Sequence, residues 1–344
     1  MPPTAEFLYL DQVAVLKANI LDMPRAIGVI SDALRLLETG ECVQPFKVVL
    51  RDGDDARSEE SGRFNGLCAS IKGENPAVGI KWIGSYPANR TIGLPRASAV
   101  IILNSPLTGL PIAIIDGTLI SAMRTGAVTA LGARSLAPRA SHKAAVIGGG
   151  VQARAQILGL LTGLPELEEV SVFCRRRSQA EALQSDCQKL FGAPIAIADS
   201  VSAAMEDADV VVTITTAWEP LIHAVNVKPG ALTIQMSGHE CDFDVIQQCG
   251  KIVTDNWEAM KHRGIITPAL MHARGLLRDD DLYATLGELI LGRKPGRENE
   301  NERIHFAHMG MGVEDISLAS AVYCTACELG LGQRLKLWDS PLWV

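Results

Sequence analysis

The fold is decided by the stretch Lys143-Ala-Ala-Val-Ile-Gly-Gly-Gly-Val-Gln-Ala-Arg-Ala-Gln-Ile-Leu-Gly-Leu-Leu161, which joins an apolar strand, three glycines and an apolar-periodic helix. Gly148, Gly150 and Ala153 have the G-x-G-x-x-G/A spacing of a dinucleotide-binding turn. A tight turn alone would also need glycine. The flanking strand and helix favour a dinucleotide site, because the free N–H groups at a helix N-terminus bind a pyrophosphate.

Apolar strands and helices alternate after the glycine turn. This alternation predicts a parallel, doubly wound sheet with right-handed crossovers, and we assign a Rossmann-type domain to residues 131–310. The predicted strands are Val170–Cys174, Pro194–Ala198, Asp209–Thr215, Ala231–Ser237 and Lys251–Asn256, the predicted helices are Ser178–Phe191 and Asp244–Cys249, and Val201–Met205 is a further apolar segment.

The residues before the glycine turn show a different pattern, with apolar runs separated by polar or glycine turns. This pattern predicts a mixed sheet in an α+β domain. A helix over Leu119–Leu136 would lead into the nucleotide domain, and a helix over Glu314–Leu331 would pack back on the first domain. The substrate-binding and dimerisation domain is therefore predicted to be discontinuous, with residues 1–130 and 311–344. Its predicted strands are Phe46–Arg51, Arg63–Ile71, Val78–Ser85, Ala99–Leu103 and Pro111–Asp116.

The composition is that of an ordinary globular protein. Of the 344 residues, 47% are hydrophobic and 21% are charged, and the net charge is −7. The sequence has neither a strongly basic balance for nucleic acid nor an apolar segment of membrane-spanning length, so we expect a small-molecule partner. The N-terminal residues lack a signal-peptide pattern, which predicts a cytoplasmic protein.

Two short motifs with metal-binding residue types are interpreted as structural. Cys324 and Cys327 lie in an apolar helical pattern without a second ligand pair, and we predict buried thiols. His305 and His308 are close in sequence but lack a third ligand. We therefore predict no metal site.

Three cations interrupt otherwise apolar segments: Lys47, Lys81 and Arg124. Burying an unpaired cation is costly, so each needs an acidic side chain or an anionic ligand. For Lys81 and Arg124 we favour a ligand carboxylate, whereas the side chain of Lys47 could equally reach solvent. Arginine suits bidentate capture of a carboxylate, and a desolvated lysine suits proton transfer.

Five motifs carry a family resemblance that covers nearly the whole chain. They are Gly79-Ile-Lys-Trp-Ile-Gly-Ser85, Gly93-Leu-Pro-Arg-Ala-Ser98, Ser121-Ala-Met-Arg-Thr-Gly-Ala-Val128, the Gly148 loop and Met309-Gly-Met-Gly-Val-Glu-Asp-Ile-Ser317. Together they resemble the ornithine cyclodeaminase/μ-crystallin family. The resemblance implies a homodimer in which a bound nicotinamide removes or delivers hydride at an amino-acid Cα. It also implies that Lys81 is catalytic, that Arg124 binds the substrate carboxylate and that Lys47 replaces another arginine.

Two departures from the family pattern point to one of its branches. His239 stands where cyclodeaminases carry an aspartate, and Arg96 replaces a threonine. An added cation would repel ornithine and calls for an added substrate carboxylate. The chain resembles the branch of N-(2-amino-2-carboxyethyl)-L-glutamate dehydrogenases, which implies release of 2,3-diaminopropionate and 2-oxoglutarate for siderophore or peptide-antibiotic synthesis. That substrate has three carboxylates, consistent with anchors at Arg96, Arg124 and Lys47.

Within this reading, hydride leaves the glutamate Cα and water then attacks the resulting imine. His239 could donate or accept the proton for that step, or it could be a polar loop histidine. Asp315 could bond the nicotinamide amide or a substrate amine, or it could cap the C-terminal helix.

The choice between NAD and NADP stays open. An NAD site usually has an acid at the end of the second strand, but here that end reads Cys174-Arg-Arg-Arg-Ser178. Arginines there could receive a 2′-phosphate, or they could form a solvated basic turn. The predicted cofactor residues are Gly148, Gly149, Gly150, Val151, Gln152, Arg175, Arg176, Ser178 and Thr215.

Three other functions remain as alternatives. Two lie in the same family, namely cyclodeamination of ornithine and reduction of a cyclic ketimine. The third is a crystallin-like protein that binds the nucleotide without turnover.

Overall fold

The structure is a computed structural model that describes residues 4–53 and 61–343. The chain forms two compact units. The first comprises Met1–Arg124 and Met311–Val344, and the second comprises Thr125–Gly310. The roles in substrate binding and dimerisation that the sequence assigns to the first unit stay predictions.

Helices and strands follow one another along the chain. The strands are β1 (Ala5–Leu10), β2 (Cys42–Val43), β3 (Val48–Asp52), β4 (Gly62–Ile71), β5 (Ala77–Ser85), β6 (Ala97–Asn104), β7 (Pro111–Asp116), β8 (Lys143–Ile147), β9 (Glu169–Phe173), β10 (Ile195–Ile197), β11 (Val210–Thr213), β12 (Leu232–Gln235), β13 (Lys251–Thr254), β14 (Ala284–Thr285), β15 (Ile304–Ala307) and β16 (Gln333–Trp338). The α-helices are α1 (Gln12–Lys17), α2 (Met23–Glu38), α3 (Thr118–Leu136), α4 (Val151–Gly163), α5 (Arg177–Phe191), α6 (Val201–Met205), α7 (Phe243–Gln247), α8 (Trp257–Arg263), α9 (Thr267–Ala273), α10 (Leu286–Ile290) and α11 (Gly312–Glu328). Within the described ranges, no helix combines the length and the apolar character needed to cross a membrane.

The second unit contains a parallel sheet with the strand order β10-β9-β8-β11-β12-β15-β13-β14. After β8 the chain adds β9 and β10 on one side of the sheet and then crosses to β11 on the other side. In such sheets a ligand binds beyond the carboxyl ends of the strands, where the order reverses. The predicted doubly wound parallel sheet is confirmed, and the glycine turn follows β8 at the reversal.

Some elements of the structure differ from the sequence prediction. β15 is absent from the predicted strands, although it lies between β12 and β13. It has only four residues, and its buried run Ile-His-Phe-Ala is interrupted by a histidine. The segment Val201–Met205 is the helix α6, because the Ser200 side chain accepts a hydrogen bond from the Ala203 N–H and caps it. β1, α1 and α2 have no counterpart among the predicted elements.

The first unit is built on a mixed sheet in the order β16-β1-β7-β6-β5-β4-β2, with β3 also paired to β4. Neighbours from β4 to β7 are antiparallel, whereas β1 and β7 are parallel. The helix α11 packs against β4, β5 and β6 and against α2. Because α11 follows the second unit in sequence, this unit is discontinuous.

Close contacts between α3 and α4 fix the start of the nucleotide half. A Cβ on Gly159 would lie 2.3 Å from the carbonyl oxygen of Gly126, and a Cβ on Gly163 would lie 3.0 Å from the backbone of Ala130. Larger side chains at these glycines would force the two helices apart. Because α4 begins at the glycine turn, this contact also holds the turn in place.

The two cysteines of α11 are exposed. The prediction that Cys324 and Cys327 are buried is therefore wrong. The buried positions in this part of the helix are Val322 and Ala326, one turn apart, and the two thiols lie outside that buried stripe.

Candidate active site

The first two glycines of the turn are required by the backbone and by packing. Gly148 has φ +122°, and a Cβ there would lie 2.8 Å from the carbonyl oxygen of Ile214. A Cβ on Gly149 would lie 2.3 Å from the Cys174 Sγ. Both positions therefore exclude larger residues even without a ligand.

Gly150 differs from its two neighbours because nothing in the structure crowds it. Its φ is −74°, and a Cβ built on it meets no atom within 4 Å. It is the N-cap of α4 without a side-chain hydrogen bond to the helix, and Val151 and Gln152 form the first turn. The open space at a helix N-terminus fits a dinucleotide pyrophosphate, whose oxygens would accept bonds from the backbone N–H groups.

The junction between β9 and α5 carries the predicted ribose-binding residues. Arg175, Arg176 and Ser178 are exposed. Arg177 forms ion pairs with Glu181 and Asp199 at 3.3 Å and 2.8 Å.

A buried carboxylate joins the loops that follow β11 and β12. Glu240 is fully buried and accepts hydrogen bonds from the Thr213 Oγ1, the Thr215 N–H and the Ser237 N–H. Burial raises the pKa of Glu240 to about 7, although these hydrogen bonds oppose the rise. Thr215, predicted to bind cofactor, is thus held by a residue that the sequence reasoning did not select.

The raised pKa of Glu240 predicts a pH-dependent stability. Between its usual 4.5 and about 7, the unfolded chain ionises while the folded chain keeps the proton, so stability falls as pH rises. In wild type, this group is expected to lower the free energy of unfolding by about 3 kcal/mol across this interval. Glu240→Gln is expected to abolish that decrease. Urea unfolding at several pH values would measure it, with the exposed Glu166→Gln as the control. Equal pH profiles for Glu240→Gln and wild type would contradict the assignment.

His239 lies partly buried beside the aromatic ring of Phe243, with ring centroids 5.1 Å apart. Its Nε2 is buried and has no hydrogen-bond partner within the part of the chain that the structure describes. Burial lowers the pKa of His239, so the neutral ring predominates at pH 7. A neutral imidazole can accept a proton, which is compatible with the predicted role of His239 as a base.

In the first unit, α11 brings two acids to the two buried cations. The Lys81 Nζ is 2.6 Å from the Asp315 Oδ2, and the Arg124 guanidinium contacts Glu314 at 2.7 Å and Asp315 at 3.0 Å. The Ser121 Oγ accepts a further hydrogen bond from Lys81 at 3.1 Å. All four charged residues are at most 7% exposed. We call Lys81, Arg124, Glu314 and Asp315 the buried ion-pair network.

Tight packing positions this network. Lys81 lies on β5 between Leu67 of β4 and Ile101 of β6. A Cβ on Gly312, the first residue of α11, would lie 2.4 Å from the carbonyl oxygen of Cys68 on β4. Glycine at 312 therefore lets the first turn of α11, which carries Glu314 and Asp315, lie against the sheet.

The network corrects two expectations from the sequence. Lys81 and Arg124 have protein carboxylates as counter-ions, so the cost of their burial does not by itself require a ligand carboxylate. Asp315 is not the N-cap of α11; the cap is Met311, whose N–H donates to Glu314 at 3.2 Å. Neither of the two roles expected for Asp315 predicted that it pairs with Lys81.

Lys81 combines deep burial with a shifted pKa. Burial, assisted by the nearby charge of Arg124, lowers the pKa of Lys81 to about 8, while Asp315 opposes the shift. The side chain can therefore exist in both protonation states near neutral pH, as a proton-transfer group must.

The other two predicted anchors lie elsewhere in the same sheet. Arg96 is half-buried just before β6, and its carbonyl accepts a hydrogen bond from the Tyr86 N–H. Lys81 pairs with Ile101, five residues after Arg96, so the Arg96 backbone lies about 17 Å from Lys81 along the strand direction. Lys47 is half-buried just before β3. The structure thus groups Lys81, Arg124 and Asp315, and the Arg96 backbone lies apart from this group. Lys47 lies nearer to Lys81, because it precedes Val48, which pairs with Gly66, and the next residue, Leu67, pairs with Lys81.

His305 in β15 and His308, which directly follows β15, both contact threonine side chains. His305 is fully buried with Nδ1 2.8 Å from the Thr233 Oγ1, and burial lowers its pKa to about 3. His308 has Nε2 3.2 Å from the Thr129 Oγ1. Another group, His223, Asp242 and Asp244, has ligand-type atoms within 4.8 Å of one another. Its hydrogen bonds, His223 to Asp242 and the Ala224 N–H to Asp244, account for that grouping, and the absence of a metal stays a prediction.

The whole chain can be compared with known proteins. A family model described as ornithine cyclodeaminase/mu-crystallin family matches residues 8–329. The chain belongs to this family. The resemblance predicted from the five sequence motifs is confirmed.

Relatives in the ornithine cyclodeaminase/mu-crystallin family span nearly the full length of this chain. Alanine dehydrogenase of Archaeoglobus fulgidus is 33% identical over 340 residues, which cover 97% of this chain and 99% of the relative. N-((2S)-2-amino-2-carboxyethyl)-L-glutamate dehydrogenase of Staphylococcus aureus is 31% identical over 338 residues, with the same coverage of 97% and 99%. A solved archaeal alanine dehydrogenase dimer with bound NAD is 30% identical, with a TM-score of 0.86, and the match covers 97% of this chain and 100% of that chain.

Sequence reasoning missed two acids in this member of the ornithine cyclodeaminase/mu-crystallin family, Glu240 and Glu314. Each directly adjoins a selected residue, His239 or Asp315. The usable signal was a carboxylate beside apolar residues, which is comparable to the cation inside an apolar strand that selected Lys81.

Proposed function

We propose that this protein oxidises N-(2-amino-2-carboxyethyl)-L-glutamate with NAD or NADP. The glutamate Cα gives up a hydride, its C–N bond becomes C=N, and addition of one water then breaks that bond. The products are 2,3-diaminopropionate, 2-oxoglutarate, reduced nicotinamide and one proton. We place the reaction in the supply of precursors for siderophores or peptide natural products, in the cytoplasm.

The general class of reaction is the one that the relatives catalyse. The chain is an NAD(P)-dependent oxidoreductase that acts on a CH–NH group of an amino acid. The nicotinamide, when bound, accepts or supplies hydride at the carbon that carries the nitrogen. The residues that fit this cofactor are the glycine turn with its open position at Gly150 and the first turn of α4.

The observation that carries the substrate proposal is that all four candidate cations lie in the first unit. The buried ion-pair network contains Lys81 and Arg124, and Lys47 and Arg96 add positive charge to the same unit. A substrate with three carboxylates suits such a unit better than ornithine does, because the far end of ornithine is itself cationic. The 31% identical relative named for this substrate supports the same choice.

The side chains have distinct proposed roles. Arg124, held by two carboxylates, is oriented to bind a substrate carboxylate through its planar guanidinium. Lys81 takes the proton from the substrate nitrogen, and Asp315 stabilises the resulting ammonium. His239 accepts a proton from the attacking water, since its ring is largely neutral.

The test is incubation of the purified protein with N-(2-amino-2-carboxyethyl)-L-glutamate and either NAD or NADP. Formation of reduced nicotinamide and 2-oxoglutarate in equal amounts would support the proposal. Turnover of alanine, release of proline and ammonia from ornithine, or reduction of a cyclic ketimine, each without turnover of the proposed substrate, would replace it. Binding of nucleotide with no turnover of any of these would favour the non-catalytic alternative.

Gly150→Val is expected to block the cofactor without unfolding the protein. The new side chain would occupy the open space at the N-terminus of α4, and no neighbouring atom within 4 Å of the Cβ would be displaced. We expect the dissociation constant for reduced nicotinamide dinucleotide to rise about 100-fold, equivalent to loss of two charge-assisted hydrogen bonds. Fluorescence titration measures it, and a melting temperature near that of wild type serves as the control. Unchanged affinity would rule out pyrophosphate binding at this turn.

We propose a homodimer formed through the first sheet. The family resemblance implies a dimer, and the archaeal alanine dehydrogenase was solved as a dimer. On the face opposite Lys81, apolar side chains are exposed, including Val48 at 63%, Leu50 at 53%, Trp82 at 42% and Val100 at 45%. Exposed apolar faces of this kind mark protein interfaces.

Trp82→Glu is expected to convert the dimer to a monomer, because it places a charge in the centre of this apolar face. Light scattering after size-exclusion chromatography would give the mass. Val225→Glu, at an 89% exposed position of the second unit, is the matched control. A Trp82→Glu protein with unchanged mass would contradict the proposed interface.

A further inference from the structure

The junction between β9 and α5 directly adjoins the glycine turn. The Gly148 N–H donates to the Phe173 carbonyl at 2.9 Å. A Cβ on Gly149 would lie 2.3 Å from the Cys174 Sγ and 3.7 Å from the Gln179 Cβ. In this fold the adenosine ribose lies at the end of the second strand, next to the pyrophosphate turn. The residues just after Cys174 are therefore those that meet the 2′ position of the ribose.

The end of the second strand lacks the acid that usually accepts the ribose hydroxyls. The segment from Cys174 to Ser178 contains no acid. Cys174 itself is buried, and burial raises its pKa, so its thiol stays neutral. The acids around the junction are already paired: Glu181 and Asp199 with Arg177, and Asp186 with Arg154.

Arg175 and Arg176 have the opposite character. Both are exposed, and neither forms an ion pair with any residue in the described ranges 4–53 and 61–343. Arg177, next in sequence, is neutralised by two acids. Two arginines without acidic partners suit a phosphate dianion, which the guanidinium binds through parallel charge-assisted hydrogen bonds.

We infer that Arg175 and Arg176 bind the 2′-phosphate of NADP(H), and that this chain prefers NADP(H) to NAD(H). The exposed hydroxyl of Ser178 adds a neutral donor to the same subsite. The inference deepens the proposed function by choosing between its two cofactors. It rests on dinucleotide binding at the glycine turn and is independent of the amino-acid substrate.

The experiment measures binding without any amino-acid substrate, so that its outcome is separate from that of the substrate proposal. Dissociation constants for NADPH and NADH are obtained by fluorescence titration, and those for 2′,5′-ADP and 5′-AMP by calorimetry. We expect wild type to bind NADPH and 2′,5′-ADP at least about tenfold more tightly than the partners lacking the 2′-phosphate, the effect of one charge-assisted hydrogen bond. The NADPH affinity is expected to fall more steeply with salt than the NADH affinity.

Variants assign the preference to the two arginines. The Arg175→Ala/Arg176→Ala protein is expected to lose the preference for NADPH while keeping its NADH affinity. Arg177→Ala, in which the replaced arginine already has two acidic partners, is expected to keep the preference and is the matched control. Equal affinity for NADPH and NADH in wild type, retention of the preference in the double variant, or its loss in Arg177→Ala would each overturn the inference.

Discussion

Lys81→Ala is expected to lower kcat by a factor of about 10² to 10⁴, the usual contribution of a positioned general acid or base. The variant removes the amine that lies 2.6 Å from Asp315 but changes nothing at the glycine turn. The dissociation constant for the nicotinamide dinucleotide should therefore stay the same. Steady-state kinetics and nucleotide titration of one preparation would separate the two effects, with Lys143→Ala as the control. Unchanged kcat would remove Lys81 from the mechanism.

The pH profile gives a second readout for Lys81. With a pKa of about 8, the neutral amine that accepts a proton becomes populated as pH rises. For oxidation of the substrate amine, kcat/KM should rise with pH and level off above about 8, and reduction should show the reverse trend. A profile that is flat from pH 6.5 to 9 would contradict proton transfer by this group.

Glu314→Ala is expected to destabilise the protein by about 3–5 kcal/mol, because it breaks a buried ion pair and leaves Arg124 with fewer counter-charges. Glu181→Ala is the matched control, since it removes a glutamate paired with an arginine at an exposed position. There the expected cost is about 0–1 kcal/mol. Chemical unfolding of both variants at one pH gives the comparison. Similar costs for the two would mean that the network contributes little beyond surface charge.

A second substitution of the same residue tests its effect on function. Glu314 holds the Arg124 guanidinium at 2.7 Å, so Glu314→Gln should raise the substrate KM more than it lowers kcat. We read Glu314 as a positioning residue, because its contact with the substrate is through Arg124. A loss confined to kcat would argue against that role.

The local parts of the fold could be predicted from the sequence. The glycine turn depends on residues adjacent in the chain, and the predicted strands of the nucleotide half are short apolar runs with their own turn signals. β15 escaped prediction because its four residues include a histidine, whose hydrogen-bond partner, the Thr233 hydroxyl, lies on the neighbouring strand β12. The prediction that Cys324 and Cys327 are buried failed because helical periodicity does not define how wide the buried stripe of a helix is when the residues on both sides of the stripe are small and apolar.

Only the cations of the candidate site, and not their pairing with acids, could be predicted from the sequence. Cations inside apolar strands identified Lys81 and Arg124 from local sequence alone. Their counter-ions could not be paired with them in the same way, since Arg124 and Glu314 are 190 positions apart in sequence. Glu240 escaped because its importance comes from three donors on two loops that only the parallel sheet brings together.

The discontinuous first unit has a consequence for building chimeras with relatives. The chain leaves that unit directly after Arg124 and returns to it at Met311, three residues before Glu314. Both splice points thus lie next to members of the buried ion-pair network. A nucleotide half could be exchanged between relatives only if the junctions fall after 124 and before 311, so that each cation is inherited together with the acids that balance it.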